Sequence, residues 1–349
     1  MRGGRLPLVV TCLALMLACA PSAPTPTSGS APGASAATAS AAAPPVKLRA
    51  ATTSITGSGT PLWAGYEGGY FAREGLDVEI GSFPSGTEGV SALIAGEVDF
   101  LQGAGSTTIS AALGGAEVVV LATTAPTMIL GVIARPEITR PEQLRGQALA
   151  ISRLGTSTET AARLALRQWG LEADRDVAIV QAGSTNSILG ALDSNRVQAG
   201  VVGHPTLTQA RKMGLNLLID LGTLNVPYFN SGIGARRAFV AEQPDVVRRY
   251  VRGIVAGIHR VRADKAFALD LYRKYLDTDD PDVLEDTYEV YGVRYAPPVP
   301  YPDERGIQGV LDELAADNPR ALEVAPRDFY DDRFIRELED SGFIRGLSP

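Results

Sequence analysis

Histidine, lysine and cysteine are scarce in this 349-residue chain, and each scarcity removes a class of function. With His204 and His259 as its two histidines, the chain can assemble neither a multi-histidine metal centre nor a Ser/His/Asp triad. Lysine occurs only at positions 47, 212, 265 and 274, none of them in a loop expected to carry function, so no lysine-anchored cofactor is expected. The two cysteines are Cys12 and Cys19, and Cys12 falls inside an apolar leader, which leaves no disulfide framework and no thiol chemistry. No P-loop is present, and Gly57-Ser58-Gly59 lacks the third glycine of a dinucleotide fingerprint. The 32 basic residues are outnumbered by 39 acidic ones for a net charge of −7, with no basic stripe, so nucleic acid is not an expected partner. Beyond the first twenty residues no apolar run reaches membrane-spanning length.

What the chain does have begins with its leader. Arg2 and Arg5 precede the apolar run from Leu6 to Ala18, and Cys19 follows directly. Residues 1–18 read as a signal peptide, and Leu15-Met16-Leu17-Ala18-Cys19 is similar to the lipobox of bacterial lipoproteins, with Met16 where leucine is usual. Acylation of Cys19 then anchors the chain in a membrane, each buried CH₂ contributing about 0.8 kcal/mol. Residues 20–45 consist wholly of Ala, Pro, Ser, Thr and Gly and read, with Cys19, as a tether without a core. The expected location is the bacterial cell envelope, exported and lipid-anchored, facing the periplasm or the cell exterior.

From Lys47 onward, strand-like segments alternate with helical ones, the pattern of parallel sheets covered by helices. The strand over 47–52 leads through a glycine-rich turn to a helical stretch from Pro61 to Glu74. A strand over 77–83, a helix ending at Ala95 and a short strand over 98–102 follow. The same order returns about a hundred residues later: Gly75-Leu76 is echoed by Gly170-Leu171, and Ala92-Leu93 by Ala191-Leu192. This predicts a bilobal α/β fold of the periplasmic-binding type, two doubly wound parallel-sheet lobes joined by a two-crossover hinge. Residues 46–124 and 229–349 form lobe 1 and residues 125–228 lobe 2. The apolar residues at 246, 247, 251, 254, 255, 258 and 261 predict an amphipathic helix over 244–268 that covers lobe 1.

Open parallel sheets bind ligands at the loops beyond the carboxyl ends of their strands. In lobe 1 these loops hold Ser54 and Thr56, then Ser85, Gly86 and Thr87, then Gln102 and Gly103. In lobe 2 they hold Arg153, Gly155, Thr156, Ser157 and Thr158, then Ser184 and Thr185, then Gly203 and His204. Most combine glycine with a hydroxyl residue and open a helix, whose first turn offers unpaired N–H groups and the positive end of a dipole. Such ends suit oxyanions and polar head groups, although Ser or Thr followed by Glu is also a helix cap. Trp63, at helical spacing with Tyr66 and Tyr70, and Tyr228 and Asn230, in the second connection, complete the candidates. No metal ligands and no catalytic residues are expected.

The run from Pro61 to Glu79, with Ser85-Gly86, Gly96-Glu97-Val98-Asp99-Phe100 and Pro141-Glu142-Gln143-Leu144-Arg145-Gly146, resembles the nitrate/sulfonate/taurine-type solute-binding proteins of ABC importers. The ending from Asp331-Asp332 to Gly342-Phe343-Ile344 matches as well. Where that family has Gly-x-Val-Asp-Ala in its second half, this chain has Asn195-Arg196-Val197-Gln198-Ala199. The resemblance implies capture of a small polar or anionic organic solute by hinge closure, no cofactor, and an ABC importer permease as partner to a monomer. It places ligand contacts at Ser54, Thr56, Ser85, Gly86, Gln102, Gly103, Gly155 to Thr158 and the loop at Gly203. A membrane-tethered ligand sensor is the alternative, and an enzyme of the pyrimidine-biosynthesis type on the same scaffold stands third.

Overall fold

A computed structural model describes residues 44–316 and 318–347. The leader and Cys19 lie outside the described residues, as does all but the end of the tether. Five strands form a first sheet in the order β2-β1-β3-β10-β4, namely β1 (Val46–Thr53), β2 (Leu76–Phe83), β3 (Phe100–Ala104), β4 (Val118–Thr127) and β10 (Pro227–Arg236). Five more form a second sheet in the order β7-β6-β8-β5-β9, from β5 (Leu130–Ala134), β6 (Ala148–Ile151), β7 (Ala178–Gln181), β8 (Ala199–Gly203) and β9 (Asn216–Asp220). The two orders are the same plan written twice: β6, β7, β8 and β9 occupy the places of β1, β2, β3 and β4. The fold is α/β and bilobal.

The sheets are mixed, which corrects the expectation of purely parallel ones. In the first sheet β10 runs antiparallel to both β3 and β4, and in the second β5 runs antiparallel to both β8 and β9. The cause is the crossover itself. β4 leaves the first sheet at Thr127 and β5 begins at Leu130 in the second, while β10 brings the chain back, so each sheet receives one strand arriving from the other lobe. That strand enters from the carboxyl ends of the parallel strands and therefore points the opposite way.

Helices cover both sheets. The helix Pro244–Ala263 buries every one of its predicted apolar positions, those from Val246 to Ile258 in a core shared with the first sheet and Val261 beside Trp63 and Tyr272, each fully buried Val or Ile contributing roughly 1.5–3 kcal/mol. Its residue Tyr250 stacks on Phe100 with ring centroids 3.7 Å apart and on Phe71 at 5.0 Å. The helix stops at Ala263, short of Ala268, because Asp264 adopts an extended backbone and caps a new helix, Lys265–Leu276, by accepting a bond from Phe267 N at 2.9 Å. The stretch over 61–74 is likewise two helices, Thr60–Glu67 and Tyr70–Arg73, parted where Gly69 takes φ +67°.

The carboxyl-terminal segment touches both lobes. Beyond its packing on the first sheet, Asp280 and Asp282 lie 2.5 and 2.7 Å from Lys212 Nζ, and Tyr295 donates to the Gly222 carbonyl at 2.8 Å.

Candidate solute-binding cleft

The loops at the strand ends of the two sheets face each other across a small cavity. Its volume is about 70 Å³. Lobe 1 contributes Ser54, Thr56, Gly86 and Gly103 from the predicted set, and lobe 2 contributes Thr156, Ser157, Thr158, Thr185 and Gly203. Asn230 lines it from the crossover. No charged side chain is among the lining residues.

The walls are built by hydroxyl chemistry. At the end of β6, Ser152, Thr156 and Thr158 join in a ring with oxygens 2.8–3.1 Å apart, and Thr158 Oγ1 also accepts from Ser152 N at 3.0 Å. These side chains fix the turn that opens the helix Ser157–Gln168, whose start has no side-chain cap. The helix Gly105–Leu113 on the opposite wall is uncapped as well. Two helix starts without a side-chain cap thus meet at the cavity, one from each lobe, and Thr107, Ser157 and Thr158 of their first turns line it. They are tied together where Thr107 Oγ1 donates to the Gly155 carbonyl at 3.0 Å and where Arg153 pairs with Glu88.

Other predicted residues serve as supports and do not line the cavity. Ser85 and Ser184 cap the helices Gly86–Ala95 and Thr185–Asp193, accepting from Glu88 N at 3.4 Å and Ser187 N at 3.2 Å. Thr87 sits exposed in the first turn of the former helix. Gln102 is fully buried and its amide nitrogen reaches the Ser58 carbonyl, Thr124 and Ser231 at 2.9–3.1 Å, so it ties the first loop to β4 and β10. Arg153 is held by Glu88, and Gly155 spends its carbonyl on Thr107. Trp63 is 2% exposed and stacks on Tyr275 at 4.6 Å, which places it in the core. His204 Nδ1 lies 2.6 Å from Asp286, and although burial pushes that carboxyl up, the hydrogen bond with His204 holds it below its ordinary range. Tyr228 is buried, which raises its hydroxyl pKa, and lines a separate cavity of about 240 Å³ with Ser106, Glu159, Thr160 and Glu313.

The cavity also holds residues beyond the named candidates, of which Ser58, Ala104 and Ser152 belong to the strand-end loops themselves. Thr53, Ser58, Ala104, Ser152 and Ser231 stand next to predicted ones, Thr107 lies one turn into its helix, and Ile129 and Leu130 belong to the first crossover. Tyr291 comes from the carboxyl-terminal segment, in a π-helical stretch over Tyr288–Arg294, and carries no local sequence signal. Among the described residues no cluster of three or more His, Cys, Asp or Glu side chains is placed to hold a metal ion.

A protein of Brucella abortus (strain 2308) that bears a binding-protein name is 27% identical over 217 residues, 61% of this chain and 66% of that relative, so the match spans just under two thirds of the relative's length. The alkanesulfonate-binding protein SsuA from Xanthomonas axonopodis pv. citri, solved with MOPS bound, superposes with a TM-score of 0.68 at 18% identity over 82% of this chain and 96% of that one. The periplasmic nitrate-binding protein NrtA from Synechocystis PCC 6803 gives a TM-score of 0.71 at 14% identity, covering 87% and 91% of the two chains. At such identities the likeness to these structures is one of fold. A family model described as NMT1/THI5 like matches residues 58–266, well over half of the sequence, and the chain belongs to that family.

Proposed function

We propose that this chain is the extracytoplasmic solute-binding lipoprotein of an ABC importer and that it captures a small polar or anionic organic solute by closing its lobes. The observation that carries this reading is the cavity between two uncapped helix starts, Gly105–Leu113 and Ser157–Gln168, bridged by Thr107 and Gly155. Amides and hydroxyls there bind oxygen acceptors without a charged side chain. A solute that touches both walls stabilises the closed arrangement over the open one by its differential contacts. The lobes of this reading are 46–124 with 229–349, and 125–228.

The kinship supports it. The fold neighbours include sulfonate- and nitrate-binding periplasmic proteins, and the family resemblance of the motifs points the same way. The cavity lining offers no Cys, His, Lys, Asp or Glu side chain for catalysis, which favours binding over turnover.

Thermal unfolding against a panel of sulfonates, nitrate, pyrimidines and aromatic acids tests the function. A bound solute at a hundred times its Kd adds about 2.7 kcal/mol of stability, a shift of several degrees. A panel that leaves the melting temperature unmoved argues against it. The anchor is tested separately: Cys19→Ser releases the protein from the membrane fraction, and unchanged retention contradicts lipidation.

A further inference from the structure

Two neutral groups at the cavity are left without hydrogen-bonding partners. Asn230 lines it, and its Oδ1 is buried with no donor among the described residues. Tyr291 lines it too; the residue is 8% exposed, and its hydroxyl makes no hydrogen bond among the described residues. A carboxamide oxygen accepts only, and a phenol both accepts and donates. A buried acceptor without a donor costs about 1–3 kcal/mol, so Asn230 Oδ1 is a preference waiting for a ligand atom, with the Tyr291 hydroxyl beside the same small cavity.

Other parts of the cavity wall have the complementary character. The uncapped starts of Gly105–Leu113 and Ser157–Gln168 supply N–H donors and ask for ligand oxygens. A donor-free oxyanion such as nitrate answers those amides and leaves Asn230 Oδ1 unpaired. A molecule that carries an O–H or N–H group next to its acceptor oxygens answers both.

We infer that Asn230 and Tyr291 read a hydrogen-bond donor on the solute, and that the cleft therefore selects hydroxy- or amide-bearing compounds over donor-free oxyanions. This rests on the solute-binding reading above and narrows its ligand class. Tyr291 is the less expected of the two readers, because it reaches the cleft from the carboxyl-terminal segment and contacts both walls, lying against Gly57 of lobe 1 and near Gly203 of lobe 2.

Isothermal titration of the full-length chain with matched probes tests it: 2-hydroxyethanesulfonate against ethanesulfonate, lactate against propionate, and uracil as an uncharged donor-bearing probe. The donor-bearing member of a pair binds at least tenfold tighter. Tyr291→Phe, which removes only the hydroxyl, and Asn230→Leu each cut that ratio at least threefold. Equal affinities within a pair, or a ratio that survives both substitutions, overturn the inference and leave solute binding standing. No binding of any probe overturns the inference and the solute-binding reading together.

Discussion

The Tyr291 ring lies flat against the backbone of Gly57, so close that a Cβ built on Gly57 overlaps its Cδ2, Cε2 and Cγ atoms. Glycine is required there for space. The contact locks the carboxyl-terminal segment onto the loop that opens the first helix of lobe 1, and so holds the third wall of the cavity in place. Gly57→Ala forces the ring out and costs about 1–3 kcal/mol, the usual range for overpacking. Urea unfolding of the variant reads this directly, and Gly57→Ala combined with Tyr291→Ala recovers part of the loss.

On the proposed hinge-closing reading, the arrangement of the lobes is held in part by the Thr107–Gly155 and Arg153–Glu88 bonds. Thr107→Val keeps the side-chain volume and removes the donor to the Gly155 carbonyl. A hydrogen bond of this kind contributes about 0.5–1.5 kcal/mol, so the ratio of closed to open chains falls by up to about tenfold. Small-angle scattering of the solute-free protein reports a larger radius of gyration for the variant. Arg153→Ala has the smaller effect, since Arg153 and Glu88 are 42% and 36% exposed and water screens the pair.

How much of this was legible in the sequence differs by residue. The repeated order around Gly75-Leu76 and Gly170-Leu171 corresponds to β2 and β7, which hold equivalent places in the two sheets. Loops at strand ends were readable because their turn residues are local, and Ser54, Gly103 and Thr156 line the cavity accordingly. A serine before a helix does not declare whether it caps or binds, and Ser85 and Ser184 cap. The direction of β5 and β10 depends on where the chain comes from, a global property that no local pattern encodes. Tyr291 was invisible for the same reason: it stands far along the chain from Gly57, and only the packing of the last segment brings it to the cleft.

Acid should stabilise the folded chain through Glu313. Burial, only partly offset by Thr160 and Arg167, raises its pKa from 4.5 to about 7, with the Glu159 charge adding to the rise and Arg163 opposing it. The folded state thus holds a proton that the unfolded state releases near pH 4.5. The Glu313 contribution is complete below that pH and is lost as pH rises through about 7. Glu313→Gln removes this decline, so the melting temperatures of parent and variant separate between pH 5 and pH 8 in the variant's favour. Parallel curves across that range contradict the assignment.

The most direct test of the whole account is to plug the cleft. Ser157 lines the cavity at the open start of its helix and sits outside the ring of Ser152, Thr156 and Thr158, so Ser157→Phe fills the space without dismantling the wall. For any solute that raises the melting temperature of the parent chain, the account predicts that the shift disappears in Ser157→Phe while the circular dichroism spectrum is retained. An undiminished shift in the folded variant would place the solute elsewhere and contradict the account.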